Sequence, residues 1–184
     1  MTDLSNKKVL VLVSNRGVEQ DELKSPVDEL RQAGAQVTVA APDSGEVESL
    51  VGDWDLGEKF PVDEVLANVS ADEYDLLLLP GGTLNADNLR LDVAALSVTK
   101  NFASGGKPIA SICHGPWMLV ESGLTQGKTL TSYQSIKTDV INAGGTWKDT
   151  AVSRCDAQGW VLITSRNPGD LNEFNQAIID ELSA

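Results

Sequence analysis

Cys113 and His114, the only histidine of the chain, stand side by side and are followed by Gly115 and Pro116. A cysteine attacks carbonyl carbon only as its thiolate, and an imidazole beside it can take or return a proton. The flanking residues place this pair where such chemistry is favoured. Ile109 to Ile112 has the length and branching of a buried strand, Gly115 permits a tight backbone approach, and Pro116 suits the first position of a helix that Gly123 ends. Cys113 therefore occupies a strand-to-helix elbow, at the carboxyl end of a strand and next to the positive end of a helix. A buried structural cysteine with an incidental histidine would give the same letters, and it is the turn position and the pairing that favour a working site.

A second loop of the same kind follows the four leucines of Asp75-Leu-Leu-Leu-Leu-Pro80-Gly81-Gly82, where paired glycines can bring backbone N–H groups close to a ligand. Other chemistries do not fit. Gly123-Leu-Thr-Gln-Gly127-Lys128-Thr129 is one residue short of a phosphate-binding loop and follows a helix instead of a strand. An α/β-hydrolase or a glutamine amidotransferase needs a histidine downstream of its nucleophile, and none follows His114. Two cysteines far apart with one histidine give no metal-ligand spacing, so no metal and no cofactor is expected. Cys155, in a strand-like run, reads as a core residue.

The elements that must position these residues alternate strand and helix. Val9 to Val13 is a continuous apolar run, as in a strand buried on both faces. After a loop from Ser14 to Glu19, the spacing of Leu23, Val27 and Leu30 is helical, with Pro26 predicting a kink or a broken first turn. Gln36 to Ala41 reads as a strand, Val47 to Val51 as a small strand or hairpin, and Asp92 to Ser104 as a helix. Beyond the elbow, Leu130 to Ser132 reads as a short strand and Ile136 to Ala143 as a helix. Ala151 to Cys155 pairs with Trp160 to Ser165 around Asp156-Ala-Gln-Gly159, and Leu171 to Leu182 is a terminal helix. This is a single α/β domain over residues 1–184, a three-layer α/β/α sandwich on a mostly parallel central sheet. The formal charge of -13 argues against a nucleic-acid or anionic-membrane partner, and no apolar run approaches a membrane span or a signal-peptide core, which points to the cytoplasm.

Ala110-Ser-Ile-Cys113-His114-Gly115-Pro116, with Leu79-Pro-Gly-Gly82 before it and Thr131-Ser-Tyr133 and Ile141-Asn-Ala-Gly144 after it, resembles the PfpI intracellular-protease family. That family sits within the superfamily that includes the Parkinson-disease-associated deglycase, with a class I glutamine amidotransferase-like fold. The similarity runs from about Val9 to Leu182. The resemblance implies a flavodoxin-like sandwich, a stress-response role, assembly into homodimers or hexamers, and Cys113 as nucleophile. It also implies a glutamate after the first strand bonded to the nucleophile, by position Glu19, with Asp21 and Glu22 close by. Backbone N–H groups of Gly82 and His114 would form an oxyanion hole on the Gly81-Gly82 loop, and Tyr133 would line the pocket. Where family members carry a glutamate that reaches the histidine of a neighbouring subunit, this chain has Asp87, one methylene shorter.

The expected function is a cysteine-dependent hydrolase of the PfpI type, with Cys113 attacking a peptide carbonyl. The alternative is glyoxalase or deglycase chemistry on methylglyoxal-type aldehydes using Cys113 and Glu19. A contrasting possibility is a stress protein that senses oxidation at Cys113. A small shielded pocket would favour the aldehyde.

Overall fold

The computed structural model describes residues 2–184. The strands are β1 (Lys8–Leu12), β2 (Arg16–Glu19), β3 (Gln36–Ala41), β4 (Glu46–Val51), β5 (Asp55–Pro61), β6 (Glu64–Val65), β7 (Leu76–Leu79), β8 (Ile109–Ile112), β9 (Thr129–Leu130), β10 (Thr146–Trp147), β11 (Val152–Cys155) and β12 (Leu162–Ser165). The helices are α1 (Gln20–Gln32), α2 (Thr83–Leu89), α3 (Val93–Ser104), α4 (Trp117–Ser122), α5 (Lys137–Asn142) and α6 (Leu171–Ser183). Seven strands form the central sheet in the order β11-β12-β8-β7-β1-β3-β6. Every pairing in it is parallel except β11 with β12.

Side-chain alternation divides the core between two layers. Val9, Val11, Leu76, Leu78 and Ile112 pack with Leu23, Val27 and Leu30 of α1 and Phe174, Ile178 and Leu182 of α6. Leu10, Leu12, Leu77, Leu79 and Ile109 face the other way, onto Val98 and Phe102 of α3 and Met118 and Leu119 of α4. Both faces of β7 are covered, which is why Leu76 to Leu79 is leucine throughout.

From β1 the chain winds outward through β3 to β6, then returns to β7 on the other side of β1. The connections at the carboxyl ends of β1 and β7 therefore part in opposite directions and leave a crevice at the point of reversal. The segment after β1, the Pro80–Gly82 loop after β7 and the elbow after β8 converge there. A second sheet, in the order β2-β4-β5, covers one side of the crevice.

Four expectations need correction. Part of the loop expected from Ser14 to Glu19 is strand β2, paired in parallel with β4. Helix α1 runs unbroken through Pro26. An interior proline costs about 3 kcal/mol, whereas burying Leu23, Val27 and Leu30 returns about 1.5–3 kcal/mol each. The strand expected over Leu130 to Ser132 is the pair Thr129–Leu130. Cys155 is half-buried on edge strand β11, its sulfur accepting from the Thr129 N–H at 3.3 Å.

Two glycines allow the crevice loops to close. A Cβ on Gly115 would lie 2.4 Å from the Leu79 carbonyl oxygen, and one on Gly82, at φ +84, would lie 2.3 Å from the Gly17 carbonyl oxygen. These neighbours are backbone and cannot swing aside. Gly115→Ala and Gly82→Ala should each lower the urea-unfolding free energy by more than about 2 kcal/mol. A loss below about 0.5 kcal/mol for either would show that the loop relaxes freely.

Candidate active site at the strand-helix elbow

Cys113 follows β8 directly and adopts the left-handed conformation at φ 61. Its N–H donates to the Ser165 carbonyl at 3.1 Å, and its own carbonyl accepts from Tyr133 N–H at 2.8 Å. The turn is thus fixed on both sides, and Cys113 is 6% exposed at the floor of a cavity of about 220 Å³. Glu19, Glu22, Gly52, Asp53, Gly82, Tyr133 and Pro168 complete the wall. The backbone N–H groups of Gly82 and His114 lie near the sulfur and favour its thiolate.

The glutamate that meets the sulfur is Glu22, not Glu19. Glu19 ends β2 and Glu22 lies in the first turn of α1, fully buried. Glu22 Oε2 accepts from Gly81 N–H at 2.8 Å, its side chain lies beside Cys113 in the cavity wall, and Oε1 has no partner. Burial is the main cause that raises its carboxyl pKa to about 8, with the negative charges of Glu19 and Asp53 adding to it and the contacts with Cys113 and Gly81 opposing it. Glu22 therefore carries a proton at neutral pH. Burial, and then an ionised Glu22, push the Cys113 thiol up. Protonation of Glu22 reverses the second cause, because its O–H becomes a donor to the sulfur.

Glu19 has a different task. Its Oε1 accepts from Gly52 N–H at 3.1 Å and its Oε2 from Asp53 N–H at 3.2 Å, so it anchors the turn between β4 and β5 at the cavity mouth. The point at which α1 starts is the signal that distinguishes the two glutamates. With α1 starting at Gln20, residue 22 lies on the same face as the buried Pro26 and close to Leu23.

His114 is 5% exposed, with Nδ1 3.3 Å from Cys113 Sγ. Nε2 lies 3.2 Å from Ser135 Oγ and 3.4 Å from Thr83 Oγ1. Burial lowers its pKa, and the charge of Asp53 opposes that shift. Tyr133, expected at the pocket, stacks on the imidazole with centroids 4.8 Å apart and lines the cavity. Asp87 lies on the exposed side of α2 and forms none of these hydrogen bonds within the chain. Sequence reasoning missed Thr83, Ser135 and Asp53. A second hollow of about 560 Å³, lined by Trp147, Asp149, Arg166 and Asn167 among others, shares Tyr133 with the first.

A flavodoxin-like sandwich with a buried cysteine and a histidine at a strand-helix elbow is the class that this geometry defines. The chain belongs to the DJ-1/PfpI family, whose pattern matches residues 7–181. It is 37% identical over 177 residues to YraA of Bacillus subtilis, named as a candidate cysteine protease, covering 96% of this chain and 99% of that one. It is 36% identical over 180 residues to protein/nucleic acid deglycase 2 of Escherichia coli, covering 97% and 99%. Among solved structures, Drosophila melanogaster DJ-1beta superposes with a TM-score of 0.84 at 34% identity, covering 100% of this chain and 91% of that one. No helix among the described residues is long and apolar enough to cross a membrane.

Two outcomes follow from this site. Iodoacetamide at about pH 6.5 should modify Cys113 ahead of Cys155, read by peptide mapping, and equal labelling of the native protein would remove the case for an activated thiol. The raised Glu22 pKa also makes stability depend on pH. Its contribution is fully present below about pH 4.5 and is lost as pH rises through about 8, because the folded state holds a proton that the unfolded chain releases. Relative to Glu22→Gln, the native protein should lose on the order of 3–5 kcal/mol across that window in urea titrations.

Proposed function

We propose that the protein is a cysteine-dependent enzyme acting on small reactive aldehydes of the methylglyoxal type, free or as adducts on amino groups. The observation that carries this reading is the enclosure of Cys113 and Glu22 in a cavity of about 220 Å³, below the roughly 300–1,000 Å³ usual for larger ligands. The Cys113 thiolate attacks the aldehyde carbon, forming the S–C bond while the carbonyl π pair moves to oxygen. Glu22 delivers its proton to that oxygen, giving a hemithioacetal, and its carboxylate is then the base placed to draw a proton from the neighbouring carbon. The hollow beyond Tyr133 leaves room for the chain that bears an adduct.

Peptide hydrolysis is the second reading, supported by His114 beside the sulfur, since a departing amine needs an acid. A main chain would have to enter a cavity in which Cys113 is 6% exposed, and this favours the aldehyde. Both readings imply a cytoplasmic setting, where free Cys113 and Cys155 stay reduced. Self-association belongs to the same proposal and is supported by Trp54 and Leu56, 88% and 68% exposed on the β4–β5 hairpin.

Purified protein should consume methylglyoxal and leave a peptide panel intact. Cys113→Ala should abolish turnover, and Glu22→Gln should lower kcat by about 100-fold or more while keeping the site's shape. Cleavage of peptides that depends on Cys113, without aldehyde turnover, would favour the peptidase instead. Failure of both would leave a thiol that senses oxidation.

A further inference from the structure

The His114 ring is held from behind by a hydrogen-bond chain that the scheme above does not use. Asp53 grips Thr83 at two points, its Oδ1 accepting from Thr83 N–H at 2.8 Å and its Oδ2 from the Thr83 hydroxyl at 2.7 Å. An ionised carboxylate only accepts, so the single hydroxyl proton of Thr83 is committed to Asp53. The lone pairs of Thr83 Oγ1 remain for His114 Nε2, 3.4 Å away, and can only accept from it. This favours a proton on Nε2, so that Nδ1 faces the Cys113 sulfur as a bare acceptor at 3.3 Å. Ser135, whose hydroxyl can donate or accept, lies 3.2 Å from Nε2 and sets no preference.

We propose that Asp53 is a positioning residue that acts through Thr83 to fix the His114 tautomer, leaving Nδ1 free to take the thiol proton, while Glu19 holds the turn that presents Asp53. The inference deepens the function proposed above and rests on its assignment of Cys113 as nucleophile. Asp53 adopts φ 61, a left-handed conformation that aspartate and asparagine tolerate better than most residues. The two Glu19 oxygens accept the N–H groups of Gly52 and Asp53 and fix that conformation. The result is one directed chain, in which the thiol donates to Nδ1, Nε2–H to Thr83, and the Thr83 hydroxyl to Asp53, with the protonated Glu22 beside the sulfur. On activation the S–H bond breaks, its proton forms the Nδ1–H bond, and the electron pair stays on sulfur. The thiolate then faces the Glu22 O–H, and the imidazolium faces the Asp53 charge through Thr83. His114 thus has a carboxylate partner within its own chain, reached through Thr83.

His114 is the only histidine, so labelling with nitrogen-15 histidine gives the spectrum of a single ring. Long-range proton-nitrogen correlations at about pH 7.5, where the ring is neutral, should show the Nε2–H tautomer in the native protein and in Cys113→Ala, which removes any preference set by sulfur. Asp53→Asn keeps the left-handed turn, but its amide can donate to Thr83 and free the hydroxyl proton for Nε2. It should move the ring mainly to the Nδ1–H form in both backgrounds. Thr83→Ser should keep the native tautomer, whereas Thr83→Val should give a mixture. With methylglyoxal, Asp53→Asn should lower kcat roughly tenfold or more and leave KM within about twofold. A tautomer unchanged by Asp53→Asn and Thr83→Val in both backgrounds would overturn the inference. A tautomer that responds as described in a protein that turns over no aldehyde would refute the proposed function and leave the positioning role standing.

Discussion

The backbone conformation of Cys113 is the constraint on which the site depends. A non-glycine residue at φ 61 costs roughly 1–2 kcal/mol, and it persists only where its surroundings leave no alternative. Here β8 is buried along its whole length, the Cys113 N–H is held by Ser165 and its carbonyl by Tyr133. Gly115 then passes so close to the Leu79 carbonyl that no side chain fits. A relaxed backbone at residue 113 would carry the sulfur away from Glu22 and from the N–H groups of Gly82 and His114. The strain is therefore part of how the site is assembled, and the buried sheet sustains it.

Around this fixed sulfur, three carboxylates gather with separate tasks. Glu22 is buried and keeps its proton to near pH 8, so it can face a thiolate without repelling it. Glu19 spends both oxygens on backbone N–H groups of the hairpin turn, and Asp53 spends both on Thr83. Each of the outer two has its charge matched by donors, yet both charges still reach Glu22 and help to keep its proton in place. A chain with formal charge -13 carries many carboxylates, and composition alone could not tell these three from solvated ones. What distinguishes them is burial and the partners that the fold supplies.

The parts whose physics is local are legible in the order of the residues. The apolar runs of β1, β7 and β8, the helical spacing of α1 and the glycines at the turns establish a parallel α/β sandwich with Cys113 at an elbow, because strand and helix periods and glycine's freedom act over a few residues. The resemblance motif placed His114, Gly82 and Tyr133 at the same point of the fold, where the structure finds them lining or bonding to the site. Only the tertiary structure chose Glu22 over Glu19, since that choice depends on the exact start of α1, and a shift of three residues nearly closes a helical turn. It alone brought Asp53 and Thr83 to His114, across separations of 61 and 31 residues, through a hairpin whose glycine-punctuated sequence gave only a weak strand signal. It also set Cys155 at a sheet edge, since which strand lies outermost is a matter of topology. Spacing along a chain fixes which face a residue presents, but a proton's path from one side chain to the next depends on where distant segments meet.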